Sequence, residues 1–220
     1  GISVNHVNFS KAKNLTWKQI SGADNFKGVI LPDGLDMTGV ALEYVEGIDF
    51  SKCINLTGKQ VVEAGMLENM LQKPQLFPES AYDMTDVKFS EYMLTEPWHC
   101  NMSMCKNINP HELVKMKNLY GLTIPAIDFS GVSFKDVSIK WMDLRHCKLT
   151  PQQVLESDDF TYAQLPEMDF TDIEFGERDI SGVDFRLVHG FKYRKQLNKT
   201  FCATLHPFDE EGDYPANPQM

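Results

Sequence analysis

From Leu119 onward, a large apolar residue recurs at every fifth position: Leu119, Ile124, Phe129, Phe134, Ile139, Leu144 and Leu149. The series restarts at Phe160 and continues through Leu165, Phe170, Phe175, Ile180 and Phe185. Two positions before many of these stands a second apolar or small residue: Ile127, Val132, Val137, Met142 and Cys147, then Ala163, Met168, Ile173 and Val183, with Arg178 the exception. A period of five matches neither the helix period of 3.6 nor the strand period of 2. It requires a chain that turns at short, regular intervals and sends two of every five residues inward.

A longer repeat contains this one. Four segments align: NFSKAKNLTWKQI from Asn8, DFSKCINLTGKQV from Asp49, MSMCKNINPHELV from Met102 and DLRHCKLTPQQVL from Asp143. Their anchors, Leu15, Leu56, Ile108 and Leu149, are 41, 52 and 41 residues apart. Each unit also carries a second shared stretch: LDMTGVAL from Leu35, YDMTDVKF from Tyr82, IDFSGVSF from Ile127 and MDFTDIEF from Met168. Residues 68–81 and 95–101 break the register.

One physical solution is a solenoid of very short strands, stacked so that backbone groups pair with the turns above and below. The triplets Ala163-Gln164-Leu165, Val183-Asp184-Phe185 and Ile127-Asp128-Phe129 stand in the small–Asp/Asn–Leu/Phe register, and there the chain resembles the pentapeptide-repeat family. The resemblance implies a mainly β fold with short helices: a right-handed, four-sided pentapeptide-type β-helix solenoid over residues 1–190. The small position usually holds Val, Ile or Met here, a departure from the family pattern.

Each unit also carries an LTxxQ-like segment, with Thr16/Gln19, Thr57/Gln60, Asn109/Glu112 and Thr150/Gln153 at capping-box spacing and Pro110 and Pro151 at the first helical position. That spacing predicts one short helix of two to three turns per unit. Pentads alternating with LTxxQ helices resemble the repeat regions of type III secreted bacterial effectors. Residues 191–206 are expected to form a basic amphipathic capping helix, and 207–220 an acidic, Pro-rich tail. Gly1 reads as an added remnant, and the pattern starts in mid-register, so an upstream stretch of chain is expected.

The net charge is −10, from 21 basic and 31 acidic side chains. This balance argues against direct nucleic-acid binding, which draws on excess Lys and Arg. Phosphate-cradling glycine loops, HExxH and GxSxG are absent, as is any apolar run long enough to span a membrane. No catalysis, cofactor or metal is expected. The cysteines Cys53, Cys105 and Cys147 share a repeat column with Ala12 and read as small core residues, and Cys100 with His99 lacks a matching ligand pair. Eight Asp residues directly precede core positions (Asp36, Asp49, Asp83, Asp128, Asp143, Asp169, Asp179 and Asp184), where a carboxylate can bond local backbone.

The expected task is therefore protein–protein interaction. Trp141 takes an outward pentad position beside Lys140, either exposed as a contact or covered by a neighbouring helix. Trp98, with Tyr92 nearby, lies in an out-of-register insertion. Trp141, Trp98, Tyr92 and Lys140 are the partner-binding candidates. The resemblance implies a secreted effector or its host-protein-binding module, soluble in the bacterial cytoplasm and then in the host cytosol. Two alternatives stay open. One is the substrate-binding module of a larger HECT-like ubiquitin ligase. The other is an acidic DNA mimic that inhibits a topoisomerase.

Overall fold

The computed structural model describes residues 2–89, 94 and 97–190. The expected capping helix at 191–206, the tail and Tyr92 lie outside the described residues. The chain divides into two compact units: Gly1–Thr95 with Met104–Asn109, and Glu96–Ser103 with Pro110–Met220.

The expectation of a mainly β solenoid is not met. Helix accounts for 22% and strand for 13% of the described residues, and no solenoid is found among them. Among the described residues the one sheet is a two-residue parallel pair, β1 (Met168–Asp169) with β2 (Val188–His189). Other pairing is confined to isolated parallel bridges, such as Asn118 to Ser138, Ser138 to Asp159 and Asp143 to Gln164. The physical cause lies in the turns. Asn14, Asn55, Asp86, Asn107, Asp136 and Asp172 all hold φ near +60°, the left-handed region where Asn and Asp are favoured among non-glycine residues. Turns this frequent leave one or two residues between them for ladder bonds.

The inward columns are those the period predicts. Phe129, Phe134, Ile139, Leu144, Phe160, Leu165, Phe170, Phe175, Ile180 and Phe185 are all buried, and so are Val132, Val137, Met142 and Ala163 two positions earlier in their pentads. Phe129 meets Phe134 edge-on at 5.1 Å, and Phe170 stacks on Phe175 at 5.4 Å. Ile124, Ile173, Leu15, Ile108 and Phe26 are only half-buried. In the first unit the core gathers Leu31, Met37, Phe50, Leu56, Met66, Met70 and Phe89, with Trp17 packed between Phe26 and Phe50.

The LTxxQ helices form but are shorter than expected: α1 (Trp17–Ser21), α2 (Gly58–Glu63), α4 (Pro110–Leu113) and α5 (Pro151–Glu156). Six residues make fewer than two turns. Another helix, α3 (Leu67–Gln72), buries Leu67, Met70 and Leu71 and occupies the first register break. The Thr57 and Thr150 hydroxyls accept from the Gln60 and Gln153 amides at 3.2 and 3.3 Å, and each glutamine Oε1 accepts from its threonine's N–H. The other end of each side chain does a second job. Gln60 Nε2 donates to the Met37 and Val40 carbonyls, and Gln153 Nε2 to those of Phe129 and Val132. A helix cap is thereby tied to a turn some twenty residues upstream.

Candidate partner-binding surface

In the second unit, positions 121, 141, 162 and 182 form a column. All four residues hold positive φ, at 63°, 60°, 60° and 67°. The N–H of Gly121 donates to Lys140 O, that of Trp141 to Thr161 O, and that of Tyr162 to Ser181 O. A residue in this conformation ends its pentad and carries its side chain outward. The column thus gives a regular series of outward sites, and two of them are aromatic.

Trp141 stacks on Tyr162 with ring centroids 4.4 Å apart and planes 7° from parallel. Tyr162 in turn lies over Gly182, where an added Cβ would stand 2.1 Å from the tyrosine ring. At the other end Trp98, carried by the 3-10 turn Pro97–His99, sits on Gly121. A Cβ on that glycine would be 2.8 Å from the Cβ of Trp98 and 4.0 Å from that of Trp141. Trp141 and Tyr162 hold the same left-handed φ, so it is this close approach that requires glycine at both positions. Trp98 also lies 5.2 Å from the Tyr120 ring. The result is an aromatic surface of two pairs on either side of Gly121, Trp98 with Tyr120 and Trp141 with Tyr162, in which the two tryptophans stay 46% and 52% exposed.

Three of the sequence candidates, Trp98, Trp141 and Lys140, therefore come together. Lys140 Nζ is 3.3 Å from Asp159 Oδ2, with both side chains about a third exposed. Burial works to raise the Asp159 pKa, but the Thr161 amide and hydroxyl together with Lys140 outweigh it and hold the carboxyl below the usual range. Tyr120 and Tyr162 were missed by sequence reasoning. For Tyr162 the signal was present: positions 121, 141, 162 and 182 are 20, 21 and 20 residues apart, four pentads with one extra residue in the middle step, and Tyr120 stands directly before this column.

Elsewhere the candidate chemistry is absorbed by structure. Each of the eight Asp residues accepts at Oδ1 from the N–H two positions on, as in Asp36 to Thr38, Asp128 to Ser130 and Asp184 to Arg186. Several also meet cations: Asp128 with Lys148 at 3.0 Å, Asp143 with Arg145 at 2.7 Å and Asp184 with Arg186 at 2.6 Å. Cys53, Cys100, Cys105 and Cys147 are buried and unbridged. Burial pushes the Cys53 and Cys105 thiols up to about 12, away from thiolate reactivity at neutral pH. Among the described residues, no three His, Cys, Asp or Glu side chains gather as a metal site, and no helix is long and apolar enough to cross a membrane.

No protein-family model matches the chain, no curated protein matches it, and no solved structure matches it.

Proposed function

We propose that the chain is a non-enzymatic protein-binding module whose contact area is the aromatic surface of the second unit. The observation that carries this reading is the pair of exposed tryptophans, Trp98 and Trp141, that flank Gly121 and are each paired with a tyrosine, Tyr120 and Tyr162. Exposed Trp and Tyr that are already held in place bind at low entropic cost, and such residues dominate protein interfaces. A substrate-recognition role in a larger ligase would use the same surface. The acidic-mimic reading draws less support, because Asp128, Asp143 and Asp184 are each paired with a neighbouring cation.

The test is photo-crosslinking from position 162. With a benzophenone side chain there, the protein is expected to label a discrete partner in host-cell lysate. Labelling should vanish in a Trp98→Ala/Trp141→Ala variant of unchanged melting temperature. Identical labelling by that variant, or none by the parent, would reject this reading.

A further inference from the structure

The first unit holds a groove of about 400 Å³ between α1 and the segment that follows the second shared stretch. Trp17, Phe26, Val40, Tyr44 and Val45 form its apolar wall, with Lys18 and Glu43 among the other lining residues. Tyr44 is 58% exposed. One cation and one anion make the charged lining neutral overall, so the groove selects neither a polyanion nor a polycation.

The backbone beside this groove is unusual. From Ala41 to Gly47, no N–H or carbonyl pairs with another backbone group among the described residues. The aligned stretch of the second unit behaves differently. Matching DFSKC from Asp49 to DLRHC from Asp143 and counting back places 41–47 on 135–141. There Val137 accepts from Asp158, Ser138 donates to Lys117 and Ile139 donates to Asp159, so the chain is paired on both sides. Ser138 forms parallel bridges to both Asn118 and Asp159. Val45, only half-buried, stands where Ile139 fills the core, and Gly47 stands where Trp141 holds a similar left-handed φ, so what the first unit lacks at that point is the ladder.

Unpaired main-chain donors and acceptors beside an apolar cavity are the two elements of strand addition. The main chain supplies hydrogen bonds, and the cavity supplies a pocket for alternate side chains. We infer that Ala41–Gly47 receives an extended peptide segment of another protein, which pairs with this backbone and places an apolar side chain against Trp17, Phe26 and Tyr44. The site lies in the first unit and takes an extended strand, so it is independent of the aromatic surface and its partner.

The experiment pans a phage-displayed library of random linear peptides against the full chain, then measures synthetic copies of the enriched peptides by calorimetry. Enrichment of peptides with a branched or aromatic residue is expected, with amide shifts on binding confined to 41–47 and the groove. Tyr44→Ala should weaken binding about tenfold or more. Glu43→Pro and Glu46→Pro remove N–H groups of opposite parity, and a bound strand engages alternate groups only. One proline should therefore weaken binding at least as much, while the other, and the matching Glu43→Ala and Glu46→Ala controls, do not. Because those N–H groups are unpaired, both prolines should melt like the parent. The inference is overturned by no enrichment, by peptides that bind all variants alike, or by peptides whose shifts map to Trp98 and Trp141. Self-association by sedimentation that the prolines abolish would also overturn it, by assigning the segment to a second copy of this chain.

Discussion

Trp141 and Tyr162 lie face to face, 4.4 Å between centroids, although both occupy left-handed positions on successive turns of backbone. Each ring is an outward group whose only aromatic support among the described residues is the other. Trp141→Ala is therefore expected to cost stability only about 0.5–1.5 kcal/mol, the range of an aromatic pair. Loss of partner binding should be much larger. Urea denaturation and the crosslinking yield measure the two. A large stability loss with unchanged crosslinking would make Trp141 a structural residue.

Gly121 carries Trp98 on its bare Cα side, so Gly121→Ala combines two penalties. The substitution puts a Cβ on a residue at φ +63° and drives it to 2.8 Å from the Trp98 Cβ. The left-handed cost alone is about 1–2 kcal/mol. Displacement of Trp98 from Tyr120 should appear as a red-shifted, more quencher-accessible indole emission. Gly131→Ala is the control. It shares the positive φ but has nothing within 4 Å of the added Cβ, and should cost stability without moving the emission.

Gln153 is buried and makes bonds at both ends of its amide, accepting from Thr150 and donating to Phe129 and Val132. Gln153→Ala strands those partners at about 1–3 kcal/mol. Gln153→Glu should be worse at neutral pH, because a carboxylate would face two carbonyl oxygens. That excess should shrink in acid, where the neutral carboxyl can donate. Glu112 stands at the same repeat position, and its Oε2 is buried with no hydrogen-bond partner among the described residues. Denaturation of Gln153→Ala and Gln153→Glu at neutral and acid pH checks the order.

The spacing of Phe129, Phe134, Ile139 and Phe175 made their burial legible, because a repeated inward position is a property of local sequence. The same spacing does not say how the chain runs between those positions. A β ladder needs successive residues free to pair, and here Asn, Asp and Gly at φ near +60° interrupt it. The capping boxes at Thr57 and Thr150 were legible from the Thr–Gln interval, whereas the second bonds of Gln60 and Gln153 reach residues twenty or more positions away. Trp98, Trp141 and Lys140 stood out singly. Their union with Tyr120 and Tyr162 depends on which turn follows which. The unpaired stretch 41–47 left no local mark, since ALEYVEG is unremarkable in composition and its neighbours decide its pairing.

The Asp column makes the fold sensitive to acid. Asp36, Asp83, Asp128 and Asp169 each receive hydrogen bonds from the residue two positions on, which hold their carboxyls below the usual range. For Asp128 the Ser130 hydroxyl and amide, with Lys148, lower the pKa to about 2. In the unfolded chain the same carboxyl titrates at about 4. A depressed folded-state pKa means that the native state binds fewer protons, so the stabilisation is complete above about pH 4 and is lost as pH falls through about 2. The melting temperature is expected to hold level near neutrality and to fall across that interval. Asp128→Asn keeps the turn, because Asn8, Asn101 and Asn118 make the same Oδ1 bond to the amide two residues on. It removes the titrating charge and the pairing with Lys148. The variant should therefore melt slightly below the parent at neutral pH and converge with it toward pH 2. Circular dichroism melts across this range decide the matter: curves that stay parallel down to the lowest pH would mean that Asp128 contributes nothing to the acid limb.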